Sequence, residues 1–292
     1  MARKFFQVDV FTDRVFGGNP LAVVMNPDHL SEESHLQIAR EMNLSETTFI
    51  YPPENPDADY RIRIFTPGKE IPFAGHPTLG TAHILWETGK IALARESIIV
   101  EMGAGLIKVS KMQNHLFMEQ PLPSFETPFE NLNQVAEALS IAPEQIDSRF
   151  PVQIVSTGFP ALYVPLKSLK AIQSVEVNLS KLRGLLGNID MIYVLTVETL
   201  ELTSTVHSRA FAPFIGIPED PATGSAAGAL GAYLVQHKII KDLKPAEIVI
   251  EQGFEIDRPS YIHVKVEKQG EEFKSIQVGG QAITVLEGNL RA

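Results

Sequence analysis

Two segments of this chain are built almost wholly from small residues, and they limit the folds open to it. The second, TGSAAGALGAYLVQH (residues 223–237), has no charge from Ser225 to Val235 and contains Gly224, Gly228 and Gly231. An interior glycine costs a helix about 1 kcal/mol relative to alanine, so glycines kept there imply neighbours that come very close. An uncharged helix is buried on every side. The first segment, GHPTLGTAHILWETG (residues 75–89), is of the same kind. A helix wrapped by a narrow curved sheet meets both conditions. An ordinary buried helix packed tightly on one side meets them equally well.

The strands around these helices support two copies of one plan. FFQVDVF and LAVVM flank FGGNP as a hairpin. SEESHLQIAREMN reads as a helix with Ser31 and Ser34 as caps and Leu36, Ile38 and Met42 on its apolar side. Short strands are expected in LSETTFIYPP and YRIRIFTP, then over 97–120, 151–168, 191–199 and 246–290, with a further helix in NLNQVAEALSIAPEQI. Pro77 suits the first helical position of its segment and Gly89 the stop. The order is not βαβα, and no GxxxxGK[ST] or GxGxxG joins a strand to a helix, which argues against a doubly wound nucleotide-binding sheet. The expected class is α+β. Two similar domains are expected, residues 1–118 and 119–279, with a final strand near 280–292 returning to the first.

Composition excludes several functions. With 292 residues, 44% hydrophobic and 21% charged, the chain suits a globular protein with a sizeable core. A net charge of −10 argues against nucleic-acid binding, which needs a basic surface. No run nears the ~20 apolar residues of a membrane span. The N-terminal MARKFFQVDVFTDRVF lacks an apolar signal core, so it reads as the first strand of a cytoplasmic protein. There is no cysteine, hence no disulfide, thiolate metal site or thiol nucleophile. His83, His115, His207, His237 and His263 are scattered without metal-ligand spacing, so no metal is expected.

Both small-residue helices begin with groups suited to an anion. Helix starts leave backbone N–H groups and partial positive charge exposed. DPATGSA puts Gly224 and Ser225 there, and AGHPTLG puts Gly75, His76 and Thr78 at the other start. Two such starts facing one cleft would hold a small carboxylate substrate. Glu46, in LSETTFI, lies beside apolar surface that can raise a carboxylate's pKa toward the range for proton shuttling. Asp220 and His76 are the other titratable candidates. Taken singly, each has a plainer reading as a cap or a hydrogen-bonded structural residue.

Together, FQVDVFTDRVFGGNPLAVV, NLSETTFI, RIRIFTPGKEIPFAGHPTLGTA, EDPATGSAAGALGAYL and VGGQAITVLEG resemble the PhzF-like proteins of phenazine biosynthesis. The likeness runs from about residue 5 to about 290. It implies the diaminopimelate epimerase-like fold: two domains, each a mostly antiparallel barrel-like sheet around a central helix, with the active site between them. It also implies a homodimer, no cofactor, and isomerisation of trans-2,3-dihydro-3-hydroxyanthranilate or a related small acid. By resemblance Glu46 moves the proton, His76 and Asp220 contact or orient substrate, and Gly75, Gly224 and Ser225 bind it. Relatives that racemise amino acids use two cysteines, about where Ala74 and Pro221 stand here, so a two-thiol mechanism is excluded. The competing reading is a partner-binding protein with a vestigial pocket.

Overall fold

The computed structural model describes residues 2–240 and 246–291. The chain divides into two compact units, Met1–Glu119 with Gly279–Ala292, and Gln120–Val278.

In unit 1 the strands are β1 (Ala2–Val10), β2 (Asn19–Met25), β3 (Glu46–Tyr51), β4 (Tyr60–Phe65), the two-residue β5 (Glu70–Ile71), β6 (Ser97–Met102), β7 (Gly105–Met112), β8 (His115–Gln120) and the returning β18 (Ala282–Arg291). β1 is antiparallel to both β18 and β2. β2 runs parallel to β3, and β3 antiparallel to β4. β4 takes β5 antiparallel and β6 parallel, and β6, β7 and β8 continue antiparallel. A parallel pair needs a crossover connection. Helix α1 (Glu32–Met42) lies in the first, capped by Ser31, whose side chain accepts from the Ser34 N–H. Helix α2 (Gly75–Glu87) lies in the second.

Unit 2 repeats this order. Its strands are β9 (Ser124–Phe125), β10 (Gln153–Ser156), β11 (Pro160–Pro165), β12 (Met191–Thr196), β13 (Val206–Ala212), β14 (Ile217–Asp220), β15 (Ala246–Gln252) and β16 (Ser260–Gln269), with β17 (Glu272–Gly280) following. β10–β11 is antiparallel, β11–β12 parallel, β12–β13 antiparallel. β13 takes β14 antiparallel and β15 parallel, and β15–β16 is antiparallel. Helix α3 (Leu132–Leu139) precedes this series, α4 (Leu169–Gln173) and α5 (Leu179–Leu186) fill its first crossover, and α6 (Gly224–Gln236) lies in the second. The duplication anticipated from the two small-residue helices is thus present strand by strand. α4 and α5 are helices the sequence patterning above did not mark. They are short, and their buried residues, Ala171, Ile172, Leu182, Leu185 and Leu186, join a hydrophobic core with α3.

The two small-residue helices are buried on all sides. In α2 only His83 and Glu87 escape burial, and in α6 only Ser225, Val235 and Gln236. α2 packs against β1, β2, β3 and β18, and α6 against β10, β11, β15 and β16. The glycines are there because sheet side chains reach the helix backbone. A Cβ at Gly231 would lie 2.6 Å from Val264 Cγ1, and one at Gly228 would lie 2.0 Å from Gln120 Oε1 and 2.8 Å from Ile276 Cγ2. Pro77 is the third helical residue of α2, not the first, since Ala74 is the N-cap. Proline is tolerated there because the N–H groups of the first turn have no intrahelical acceptor. Gly89, with φ +70°, follows the C-cap Thr88 as the stop. Among the described residues no helix is long and apolar enough to cross a membrane.

These contacts predict opposite outcomes for one substitution at two helical glycines. Gly184, exposed in α5, has nothing within 4 Å of an added Cβ, so Gly184→Ala should stabilise by about 0.5–1 kcal/mol. Gly228→Ala should destabilise by about 1–3 kcal/mol. There the new methyl must displace Gln120, which holds the Gly224 carbonyl and the Thr157 hydroxyl. Urea unfolding of both variants checks this, and a stabilised Gly228→Ala would show the helix is not tightly enclosed.

Candidate functional site

Glu46 opens β3, opposite Leu21 of β2 in parallel register. One residue along β2, Pro20 accepts a hydrogen bond from the ring of His76. His76 is the second residue of α2, which starts without a side-chain cap. Its Nε2 has no hydrogen-bond partner and lies 3.4 Å from Glu46 Oε2, so Nδ1 is the nitrogen that bonds Pro20. Glu46 and His76 are 8% and 6% exposed. An ion pair would need an imidazolium. Burial, only partly offset by the Pro20 carbonyl, pushes the His76 pKa down to about 3, so the ring is neutral. A neutral ring with Nδ1–H committed to Pro20 presents the Nε2 lone pair to the Glu46 carboxyl. Gly75 is buried beside His76 at the start of the same helix.

Asp220 ends β14 in unit 2, three residues before the N-cap of α6. The Thr223 hydroxyl, at that N-cap, makes no cap bond and instead lies 2.6 Å from Asp220 Oδ2. Gly224 and the half-buried Ser225 begin α6. The helix start is held from behind by buried polar groups. Gln120 Nε2 donates to the Gly224 carbonyl at 2.9 Å, and Tyr163 OH donates to the Ala226 carbonyl at 2.7 Å. Glu219, the other acid of the motif, forms a two-pronged ion pair with Arg209, both bonds 2.8 Å. Arg209 Nη1 also donates to the Ile172 and Val175 carbonyls. Glu219 therefore anchors β14 to β13 and α4.

Each unit so gathers its own candidates: Glu46, His76 and Gly75 in one, Asp220, Gly224 and Ser225 in the other. Sequence reading missed Pro20, Thr223 and Gln252. Pro20 contributes only its carbonyl, which leaves no trace in residue type. Gln252 did leave a signal, as a polar residue closing the apolar strand AEIVIEQ directly before a glycine. Among the described residues no three His, Cys, Asp or Glu side chains are grouped so as to hold a metal ion.

Two units of one strand order, each around a buried small-residue helix, define the diaminopimelate epimerase-like α+β class. The hydroxyproline epimerase of Agrobacterium vitis shares this fold, with a TM-score of 0.64 over 99% of this chain and 92% of that one, at 11% identity. More specifically, the chain belongs to the phenazine biosynthesis-like protein family, whose model matches residues 8–288. It is 36% identical to the trans-2,3-dihydro-3-hydroxyanthranilate isomerase of Pseudomonas aeruginosa, over 98% of both chains. It also matches the crystal structure of the PhzF-family phenazine biosynthesis protein of Bacillus anthracis, with a TM-score of 0.91, 29% identity and full coverage of both chains. The chain is an enzyme of the isomerase class.

Proposed function

We propose that this protein moves a proton between two carbons of a small carboxylate, as a cofactor-independent isomerase. The proposed substrate is trans-2,3-dihydro-3-hydroxyanthranilate or a related small acid. Glu46 takes the proton from one carbon, holds it as the carboxylic acid, and returns it to another. Neutral His76 stabilises that acid form through the Nε2 lone pair. Asp220 orients substrate and assists the transfer. Gly75, Gly224 and Ser225 bind substrate, with backbone N–H groups at the helix starts receiving its carboxylate. Such donors also offset charge developing on the substrate, an effect worth roughly 3–4 kcal/mol for one well-placed group. We further propose that the functional domains coincide with the two compact units, and that the protein works in the cytoplasm as a homodimer.

The observation that supports this reading most is the buried Glu46–His76 pair, 3.4 Å apart. A buried carboxyl beside a neutral ring suits a group that carries a proton between two carbons. The name of the Pseudomonas aeruginosa relative supports the substrate class. The test is NMR in D₂O with trans-2,3-dihydro-3-hydroxyanthranilate and a panel of small unsaturated acids. Isomerisation is expected for at least one of them, with deuterium at the receiving carbon to the extent that the Glu46 proton exchanges with solvent before its return. Neither isomerisation nor exchange by the folded protein with any would reject the reading.

A further inference from the structure

Behind Asp220, within unit 2, buried side chains form a hydrogen-bonded chain whose proton directions are settled by the chemistry of the groups. Gln252 ends β15 and is fully buried. Its amide touches one obligate acceptor, the Asp220 carbonyl at 2.7 Å, and one obligate donor, the Thr223 N–H at 3.3 Å. These fix Nε2 toward Asp220 and Oε1 toward Thr223 N. The second Nε2 hydrogen goes to Thr223 Oγ1 at 2.9 Å. Thr223 thus accepts from Gln252, and its own hydrogen is left for Asp220 Oδ2 at 2.6 Å. Tyr193 OH completes the amide, donating to Oε1 at 2.5 Å. All four hydrogen-bonding positions of the amide are then used. The next residue, Gly253, has φ +80°, and a Cβ there would sit 2.6 Å from the Pro221 carbonyl oxygen. The β15 end and the Asp220 turn are therefore pressed together, with no room for slack.

We infer that Gln252 and Thr223 are positioning residues for Asp220: Gln252 sets the direction of the Thr223 hydroxyl, and that hydroxyl holds Asp220 Oδ2 as a hydrogen-bond acceptor in one orientation. The catalytic consequence rests on the proposed role of Asp220; the positioning itself does not.

Three variants separate these. Thr223→Val removes the hydroxyl with little change of shape, Thr223→Ser keeps it, and Gln252→Glu replaces two donors by acceptors. With trans-2,3-dihydro-3-hydroxyanthranilate, Thr223→Val should lose at least about tenfold in kcat, part of the roughly 10²–10⁴-fold that a positioned acid–base group contributes. KM should change little, as for an interaction made in the transition state. Thr223→Ser should restore turnover. Gln252→Glu should gain activity as pH falls, because the protonated side chain recovers one donor. The second readout needs no substrate. The Asp220 carboxyl ¹³C signal, assigned against Asp220→Asn, is titrated in each variant. Its midpoint should move up in Thr223→Val and stay in place in Thr223→Ser, since a hydrogen bond to the charged form favours that form. An unmoved midpoint in Thr223→Val overturns the inference, whatever happens to activity. Wild-type protein inert toward the acid would reject the proposed function instead, and the titration would still decide the positioning. If Gln252→Glu fails to fold, the two Thr223 variants decide.

Discussion

Glu46→Gln is expected to lower proton exchange by about 10²–10⁴-fold, the usual contribution of a positioned acid–base group, while the protein stays folded. The amide has the shape of the carboxyl it replaces, and Glu46 is 8% exposed, so packing is preserved. It also gains a partner, because an amide N–H can donate to the His76 Nε2 lone pair 3.4 Å from the present Oε2. What it cannot do is accept a proton from carbon. Deuterium incorporation by NMR measures the loss, and unfolding curves measure the fold. Full exchange in Glu46→Gln would remove Glu46 from the mechanism. Collapse of the fold would make the Glu46–His76 pair structural.

The largest effect on stability is expected at His207, far in chemistry from the proposed reaction. His207 is fully buried on β13, with Nδ1 2.7 Å from Glu251 and Nε2 2.9 Å from Glu255. Burial disfavours its charge, but the two carboxylate hydrogen bonds outweigh burial and raise its pKa to about 9. Both nitrogens therefore donate at neutral pH. Glu251 also accepts from the Leu200 and Glu201 N–H groups at 2.6 and 3.0 Å, which ties the 197–204 loop to this centre. His207→Leu leaves two carboxylates without their cation and should cost about 3–5 kcal/mol, read by thermal unfolding.

The same triad sets a pH dependence whose sign is definite. The His207 pKa is higher folded than unfolded, so its contribution is complete below its ordinary value of 6.5 and is lost as pH rises toward about 9. Burial raises the pKa values of Glu251 and Glu255, but hydrogen bonds led by those from His207 lower them further, for a net fall. Their contribution is present above the ordinary value of 4.5 and lost as pH falls below it. Stability from this triad should peak between these limits. His207→Leu should abolish the fall on the alkaline side. An equal alkaline loss in that variant would place its origin elsewhere.

Much of the fold was legible because its signals are local. The Ser31 cap, the Gly89 stop and the period-2 strands depend on residues within a few positions of one another. α4 and α5 escaped because burial against α3, a contact across the fold, decides them. The absence of cysteine and the small-residue helices also restricted the chemistry and the architecture from the chain alone. The site is different. Glu46 and His76 are visible as candidate residue types, but the partner that makes His76 an acceptor is a backbone carbonyl 56 positions away. Their meeting depends on the parallel register of β2 and β3 and on where the α2 crossover begins. Likewise Asp220 was legible as an acid before a helix, whereas Gln252, which orients its neighbour Thr223, reaches it only through the parallel β13–β15 pair. Sequence by itself determined most of the elements, the duplication and the chemical inventory. Tertiary structure decided protonation, orientation and partners, because those depend on burial and on atoms brought into contact by strand pairing and crossover helices, and neither is a property of neighbouring residues in the chain.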